Sequence, residues 1–466
     1  MSNLFNAVNS GNHRTLNGAA THGTTNSACL DFYSIAGASR GKDISTQFSA
    51  SYREDPSLTL KILFWLRDVR GGAGERTQFR NLITQVVTDS NVFAVMRKIV
   101  ELGRWDDLHV FLETKYDDLM VSITADALVQ GNALAAKWTP RKGVMFNQLR
   151  KKMELTPKEL RKLLVNLSNT VEQKMSAGNW SEIDYSKLPS VASSRYMTAF
   201  HRNDATRYEA YKDALVKGET KINAGAVYPY DITKAVHNSS NPTVLSVAEA
   251  QWNALPNYME GVERRVLPVI DVSSSMNDRV GGNPNLTCMD VAVSLGLYLA
   301  ERNNSVFKDH YITFHESPSL MKATGTLAQK LRTIYSSPWG GNTNLMRVFS
   351  LILNAAIKNS LSEDDMPTDV IICSDMEFDR CDRSGYATTF TQIKKAYNDA
   401  GYKMPTLIFW RLNVLSDKNF PVKDTTFGAK LISGFSPSMI KTVLTGTSVS
   451  SYDSMLEVVD VPRYTI

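Results

Sequence analysis

Cysteine is scarce in this 466-residue chain: only Cys29, Cys288, Cys373 and Cys381 occur, with no CxxC pair and no histidine at zinc-finger spacing. That excludes a disulfide framework and a structural zinc finger. The four thiols are expected to be reduced, and Cys373, inside the apolar run DVIICSDM, reads as a small buried hydrophobe. Long apolar runs are missing as well. No stretch approaches the roughly 18 residues a membrane span requires, and MSNLFNAVNSGNHRTLNG lacks the charged-then-apolar layout of a signal peptide, so a cytoplasmic chain with no membrane partner is expected. Two catalytic signatures are absent: GxSxG, which presents a nucleophilic serine, and GxxxxGK[ST], which cradles phosphates.

With 43% apolar and 21% charged residues, the composition is that of a globular protein rather than a disordered or collagen-like one. The length exceeds what one core usually organises, so two or more domains are expected. The net charge of +5 is unevenly spread: residues 1–250 hold 31 Lys and Arg against 25 Asp and Glu, and the remainder 21 against 22. A polyanionic partner should therefore engage the first half.

Residues 1–45 are rich in Gly, Ser, Asn and Thr with little periodicity and are expected to form a flexible N-terminal arm. Beyond them the spacing becomes helical. Leu58, Ile62, Leu63, Trp65 and Leu66 precede a break at Gly71, Gly72 and Gly74, and Phe79, Leu82, Ile83 and Val86 follow it, which predicts two packed helices. VFAVMRKIVELG with RWDDLHVFLE repeats that pattern. Before LRKLLVNLS, Thr156 is placed as a cap, Pro157 at the first helical position and Glu159 as the closing member of a capping box. Successive helix pairs over residues 46–250 predict an α-solenoid of HEAT-like repeats, or an irregular bundle, with the solenoid favoured.

After HNSSNPTV the period changes. RRVLPVIDVS, HYITFHE, TDVIICSDM and PTLIFWRLN are short β-branched or aromatic runs separated by amphipathic stretches, so residues 251–466 are expected to form a doubly wound α/β domain. Ligands of such folds bind at the carboxyl ends of the strands. At that edge VLPVIDVSSSM ends in Asp271, Ser273 and Ser275, which alternate and can point one way. A carboxylate with two hydroxyls suits a hard cation, Mg²⁺ or else Mn²⁺ or Ca²⁺. Thr343 in SSPWGGNTNL and Asp375 in IICSDM occupy further strand ends. His310 and His315 flank a strand and are expected to be structural.

This order resembles the von Willebrand factor A domain, whose metal-ion-dependent adhesion site is written D-x-S-x-S, then Thr, then Asp. The resemblance spans roughly residues 262–450 and implies that Asp271, Ser273, Ser275, Thr343 and Asp375 hold a divalent cation with a position left for an acidic group of a protein partner. A helical-repeat half ahead of it resembles the TROVE module of Ro ribonucleoproteins, on the stretches LRDVRGGAGERTQFR, GRWDDL, KWTPRKG, NTVEQKMSAGNWSEIDYSKLPSVA and KGETKINAGAVYP. That resemblance implies binding of small non-coding RNA by a ring of helices.

The residues for such binding must come from local chemistry. Arg67, Arg70, Arg76 and Arg80 crowd one glycine-containing hairpin, and Lys137, Arg141 and Lys142 surround Trp138, a stacking surface. Lys151, Lys152, Lys158, Arg161 and Lys162 form a third cluster. Each group also reads as structural: ion pairs with Asp68 and Glu75, a core tryptophan, a solvated helix face. The expectation is a monomeric, non-enzymatic RNA-binding scaffold. The alternative is a protein-only adaptor whose metal site recruits an acidic segment, for example of an AAA+ ATPase, and a metal-dependent hydrolase ranks third.

Overall fold

Local signals set the helix boundaries in the first half. In the computed structural model, which describes residues 13–225, 227–281, 283–314, 317–336, 344–379, 389–448 and 450–466, the helix Pro157–Ser168 starts as its sequence predicts. The Thr156 hydroxyl accepts the Glu159 N–H and the Glu159 carboxylate accepts the Thr156 N–H. Asp55 caps the helix Pro56–Arg67 in the same way, through the Leu58 N–H. Further helices run from Val92–Leu102 through Asp117–Val129, Ala133–Trp138 and Val144–Lys152 to Ala205–Val216, Pro229–His237 and Pro242–Asn253.

The second half is built on a six-stranded sheet: β3 Val266–Asp271, β4 His310–Phe314, β5 Ser319–Lys322, β6 Asp369–Ser374, β7 Thr406–Arg411 and β8 Ala429–Ser433, after β1 His13–Arg14 and β2 Ala20–Thr21 in the N-terminal segment. The spatial order is β5-β4-β3-β6-β7-β8, parallel except for the edge strand β5. The order reverses between β3 and β6, so the crevice of this doubly wound sheet opens at the carboxyl ends of those two strands. Every residue of β3 and β6 is buried, as strands covered by helices on both faces must be.

Residues 1–45 do not behave as an arm from residue 13 onward. β1 and β2 pair as a small hairpin, and Ala28–Ala36 is a helix with Cys29, Leu30, Phe32 and Tyr33 fully buried. The Gly, Ser and Thr residues that suggested disorder serve as close-packing positions and caps. The Ser433 hydroxyl bonds the Tyr33 carbonyl and the Gly37 N–H, and a Cβ at Gly37 would meet the Ser433 carbonyl oxygen at 2.3 Å. The helix Ala28–Ala36 therefore lies on β8.

The helical half returns to the α/β half at its other end. Pro229–His237 packs on the helices Cys288–Arg302 and Leu327–Tyr335, and Trp252 donates to Glu301 at 2.7 Å. One hydrophobic core runs through both halves. Between helix Pro56–Arg67 and helix Thr77–Leu82 the chain folds back on itself: the Ala73 and Glu75 N–H groups reach the Trp65 and Leu66 carbonyls. A Cβ at Gly72 would fall 1.9 Å from the Trp65 oxygen. Gly72→Ala should therefore destabilise the protein by about 1–3 kcal/mol, seen as a lower urea midpoint, whereas Gly225→Ala, with open space around its Cβ position, should stay within about 0.5 kcal/mol of the parent.

Candidate functional site

Asp271 ends β3 with its carboxylate wholly buried. One oxygen accepts the Ser273 N–H at 3.0 Å, which turns the chain, and the other accepts the Ser374 hydroxyl at 2.6 Å. The Ser273 and Ser275 hydroxyls stand 3.1 Å apart, so the alternation read from DVSSS does bring these oxygens together. Asp375 follows β6, and one of its oxygens accepts the Glu377 N–H at 3.0 Å. The other oxygen is buried and makes no hydrogen bond with a described residue. Thr343, His315 and Cys381 lie outside the described residues. His310 is described, with its Nδ1 2.7 Å from the Lys308 carbonyl oxygen.

The electrostatics of this cluster are unfavourable as it stands. Burial, then the charge of Asp375, pushes Asp271 up to about 7, and burial likewise raises Asp375 against the pull of the Glu377 N–H and the Ser275 hydroxyl. Arg411, also fully buried, offsets part of the Asp375 charge, and desolvation lowers it to about 10. Met376, between Asp375 and Glu377, holds φ at +70°, a costly conformation for a non-glycine residue that fixes the aim of the Asp375 side chain. Two buried carboxylates, one orphan oxygen and hydroxyls at one strand edge fit a hard divalent cation. Among the described residues no three His, Cys, Asp or Glu side chains converge.

Sequence reasoning missed the supports of this cluster. Glu377 accepts the Leu16 N–H at 2.6 Å and the Asn419 amide at 3.0 Å, and the Thr15 hydroxyl bonds the Phe378 carbonyl at 2.5 Å. The N-terminal hairpin thus grips the loop that carries Asp375. Ser374 was visible in IICSDM as a hydroxyl inside a strand. The hairpin gave no signal, because its partners are some 360 residues away.

A second site lies where the two halves enclose space. A cavity of about 1470 Å³ is bounded by helices of the first half, by residues 168–174 and 183–195, and by Gly281, Tyr298, Ser436 and Pro437 of the α/β half. Nine Lys and Arg side chains line it against three Asp and Glu. Of the eight residues in the first two sequence clusters, Arg67, Arg70, Arg76, Lys137 and Trp138 reach its wall, and Arg80, Arg141 and Lys142 do not.

Several of those cations are committed elsewhere. Arg67 is 2% exposed and pairs with buried Asp107 at 2.7 Å, Arg80 bonds both Asp106 and Asp107, and Arg141 holds the Ala136 and Thr139 carbonyls. Arg104 chelates Asp106 while lying 3.9 Å over the Trp138 ring. The Arg76 side chain is exposed, and its guanidinium forms no hydrogen bond or ion pair with a described residue. Burial together with the Arg104 and Arg80 charges pulls it below the ordinary arginine value, as expected of a crowd of cations short of anions.

These features define a class: a helical half and a doubly wound α/β half sharing one core, with a basic cavity between them and a carboxylate–hydroxyl cluster at the strand ends. Residues 265–462 match the family model described as a domain of unknown function (DUF7788), and residues 15–86 and 141–261 match that of DUF2828. The chain is 31% identical over 506 residues to the uncharacterized protein L728 of Acanthamoeba polyphaga mimivirus, across 96% of this chain and 87% of that one. It belongs to the family of that protein. Among solved structures the Deinococcus radiodurans RO (RSR) protein aligns over 93% of both chains at 13% identity with a TM-score of 0.46, a score that does not establish a common fold. No described helix is long and apolar enough to cross a membrane.

An acid whose folded value is raised binds its proton more tightly in the folded state, so its contribution is full below the unfolded value and is lost as pH rises. With metal chelated, stability should decline from about pH 4, the unfolded aspartate value, through about 7 for Asp271. Asp271→Asn should flatten that decline in urea titrations run with EDTA, and an unchanged slope would remove the assignment.

Proposed function

We propose that this chain is a non-enzymatic RNA-binding scaffold: the helical half forms a HEAT-like ring closed by a von Willebrand factor A-like domain, and a single-stranded segment of a small RNA is held in the basic cavity. The observation that carries the reading is the threefold excess of cations over acids on the cavity wall, set beside Trp138. Phosphates would replace the missing counter-charge of Arg76, and bases would stack on the indole that Arg104 backs. The exposed apolar side chains Val69, Leu134 and Val191 on the same wall offer further contact to bases. Outside the cavity, Lys151, Lys152, Lys158 and Lys162 are exposed, and a duplex stem could lie there.

At the strand ends, Asp271, Ser273, Ser275 and Asp375, with Thr343 by resemblance, would hold Mg²⁺. The ion would supply a coordination position for a carboxylate of a protein partner. The residues themselves position it: Ser374 and the Ser273 N–H orient Asp271, and the Met376 turn orients Asp375. The role proposed for these groups is binding rather than reaction.

Binding of a short single-stranded RNA, measured by fluorescence anisotropy, should weaken steeply as salt rises. Trp138→Ala should cost roughly 1–3 kcal/mol of affinity, and Arg76→Ala should lower the salt slope by about one. Arg67→Ala should instead cost roughly 3–5 kcal/mol of folding stability, because it strands Asp107. Mg²⁺ should raise the melting temperature of the parent and leave Asp271→Ala unchanged. RNA affinity indifferent to salt, or absent, would favour the protein-only adaptor.

A further inference from the structure

The main core runs through the helices as far as Leu164 and resumes at Ala224. The intervening residues have a core of their own: Ile183, Tyr185, Leu188, Phe200 and Tyr208, with Tyr185, Phe200 and Tyr208 ring centroids 5.2–5.5 Å apart. Arg207 ties this small lobe internally, donating to the Trp180 and Ile183 carbonyls and to Asp204. Its seam with the rest is thin. The helix Ala205–Val216 packs on Pro242–Asn253, and among the described residues the hydrogen bonds that cross the seam away from the lobe's own ends all involve Gln251, which meets the Ser190 carbonyl at 3.4 Å and the Ser194 hydroxyl at 3.1 Å. At the lobe's entrance Asn169 sits in the left-handed region at φ +38°, and Gly225 lies at its exit.

This lobe is also one wall of the cavity. Lys174, Lys187 and Arg195 line it beside Glu172 and Asp184, and they share the cavity with Arg70, Arg76 and Lys137 of the first helices. Both walls carry surplus positive charge, so when the cavity is empty their net charges repel, offset in part by the attraction of Glu172 to Lys137, and a polyanion between them would draw them together. A separate core, a single side-chain clasp and like-charged walls are the properties of a unit that opens on its own.

We infer that residues 171–223 form a gate: it swings away from Gln251 to admit a nucleic-acid strand sideways into the cavity and is drawn shut by the phosphates it encloses. The inference rests on the RNA-binding reading for its ligand, but the opening is a property of the protein alone. A closed wall would accept only strands with a free end. A gate accepts strands that have none.

The test uses the full chain with linear and covalently circular single-stranded RNA of one sequence. Ser194→Cys and Gln251→Cys, in a Cys381→Ser background, are joined by a short bis-maleimide across the seam. The uncrosslinked protein should bind both RNAs, and crosslinking should spare the linear strand while slowing association of the circle about tenfold or more. A crosslinked protein that takes up the circle at the parent rate overturns the gate, and so does an uncrosslinked protein that binds the linear strand but never the circle. Binding of neither RNA defeats the RNA-binding reading instead, and hydrogen exchange then decides. Amides of helix Ala205–Val216 should exchange at least about tenfold faster than those of β6, and faster still in Gln251→Ala. Equal protection of the two elements, or no response to Gln251→Ala, overturns the proposal.

Discussion

Arg40 joins four stretches of chain that are otherwise far apart in sequence. Its guanidinium bonds Glu75 at 2.7 Å and the Tyr230 hydroxyl at 3.4 Å, and it lies 4.5 Å over the Phe435 ring. Its stem leaves no room for a side chain at Gly281, where a Cβ would fall 2.5 Å from its own. The first helical hairpin, the last helices and both ends of the α/β half meet at this one side chain. Glu75 in turn accepts the Thr77 and Gln78 N–H groups that begin the next helix, so losing the pair would leave a buried carboxylate and free a helix start together. This contact fixes the first helical hairpin against the α/β half, on the side of the cavity away from residues 171–223.

A second clasp works beside it. Asp68, fully buried, accepts from the Nε and Nη2 of Arg463, at 2.5 and 2.9 Å, and from the Tyr464 hydroxyl at 3.0 Å. The C-terminal residues are thereby fastened to the same hairpin that Arg40 holds from the N-terminal side. At the strand ends the same logic recurs: the hairpin of residues 13–21 holds Glu377, and Glu377 neighbours Asp375. Each functional surface is thus anchored by a segment from the opposite end of the chain.

The sequence made some of this readable and hid the rest for physical reasons. Strands β3, β4, β6 and β7 were legible because buried parallel strands are nearly continuous runs of Val, Ile and Phe. β8 was not, since Lys430 interrupts AKLIS and its ammonium is satisfied within the fold by the Val443 carbonyl. β5 is a short, half-exposed edge strand with no apolar run. The Asp271, Ser273 and Ser275 grouping followed from period-two geometry. The order of residues 13–45 could not be seen, because Gly, Ser and Thr are read as disorder unless the partner surface is known. Here that surface is β8 and the loop after β6, hundreds of residues on.

The arginines of LRDVRGGAGERTQFR show how a charge cluster divides between structure and function. Arg67, Arg80 and Arg104 surround Asp106 and Asp107, and those two carboxylates are fully used by them. A buried pair such as Arg67 with Asp107 contributes little net stability, since desolvation offsets attraction, yet it fixes geometry because neither partner tolerates being alone. Three cations around two acids already leave one charge in excess, and Arg76 stands against them with no acid of its own. Nothing in folding requires that surplus, which costs repulsion in the empty cavity. A protein built only to fold would neutralise it with one more carboxylate, so the unmatched positive charge on this wall is the part of the motif that points outward to a ligand.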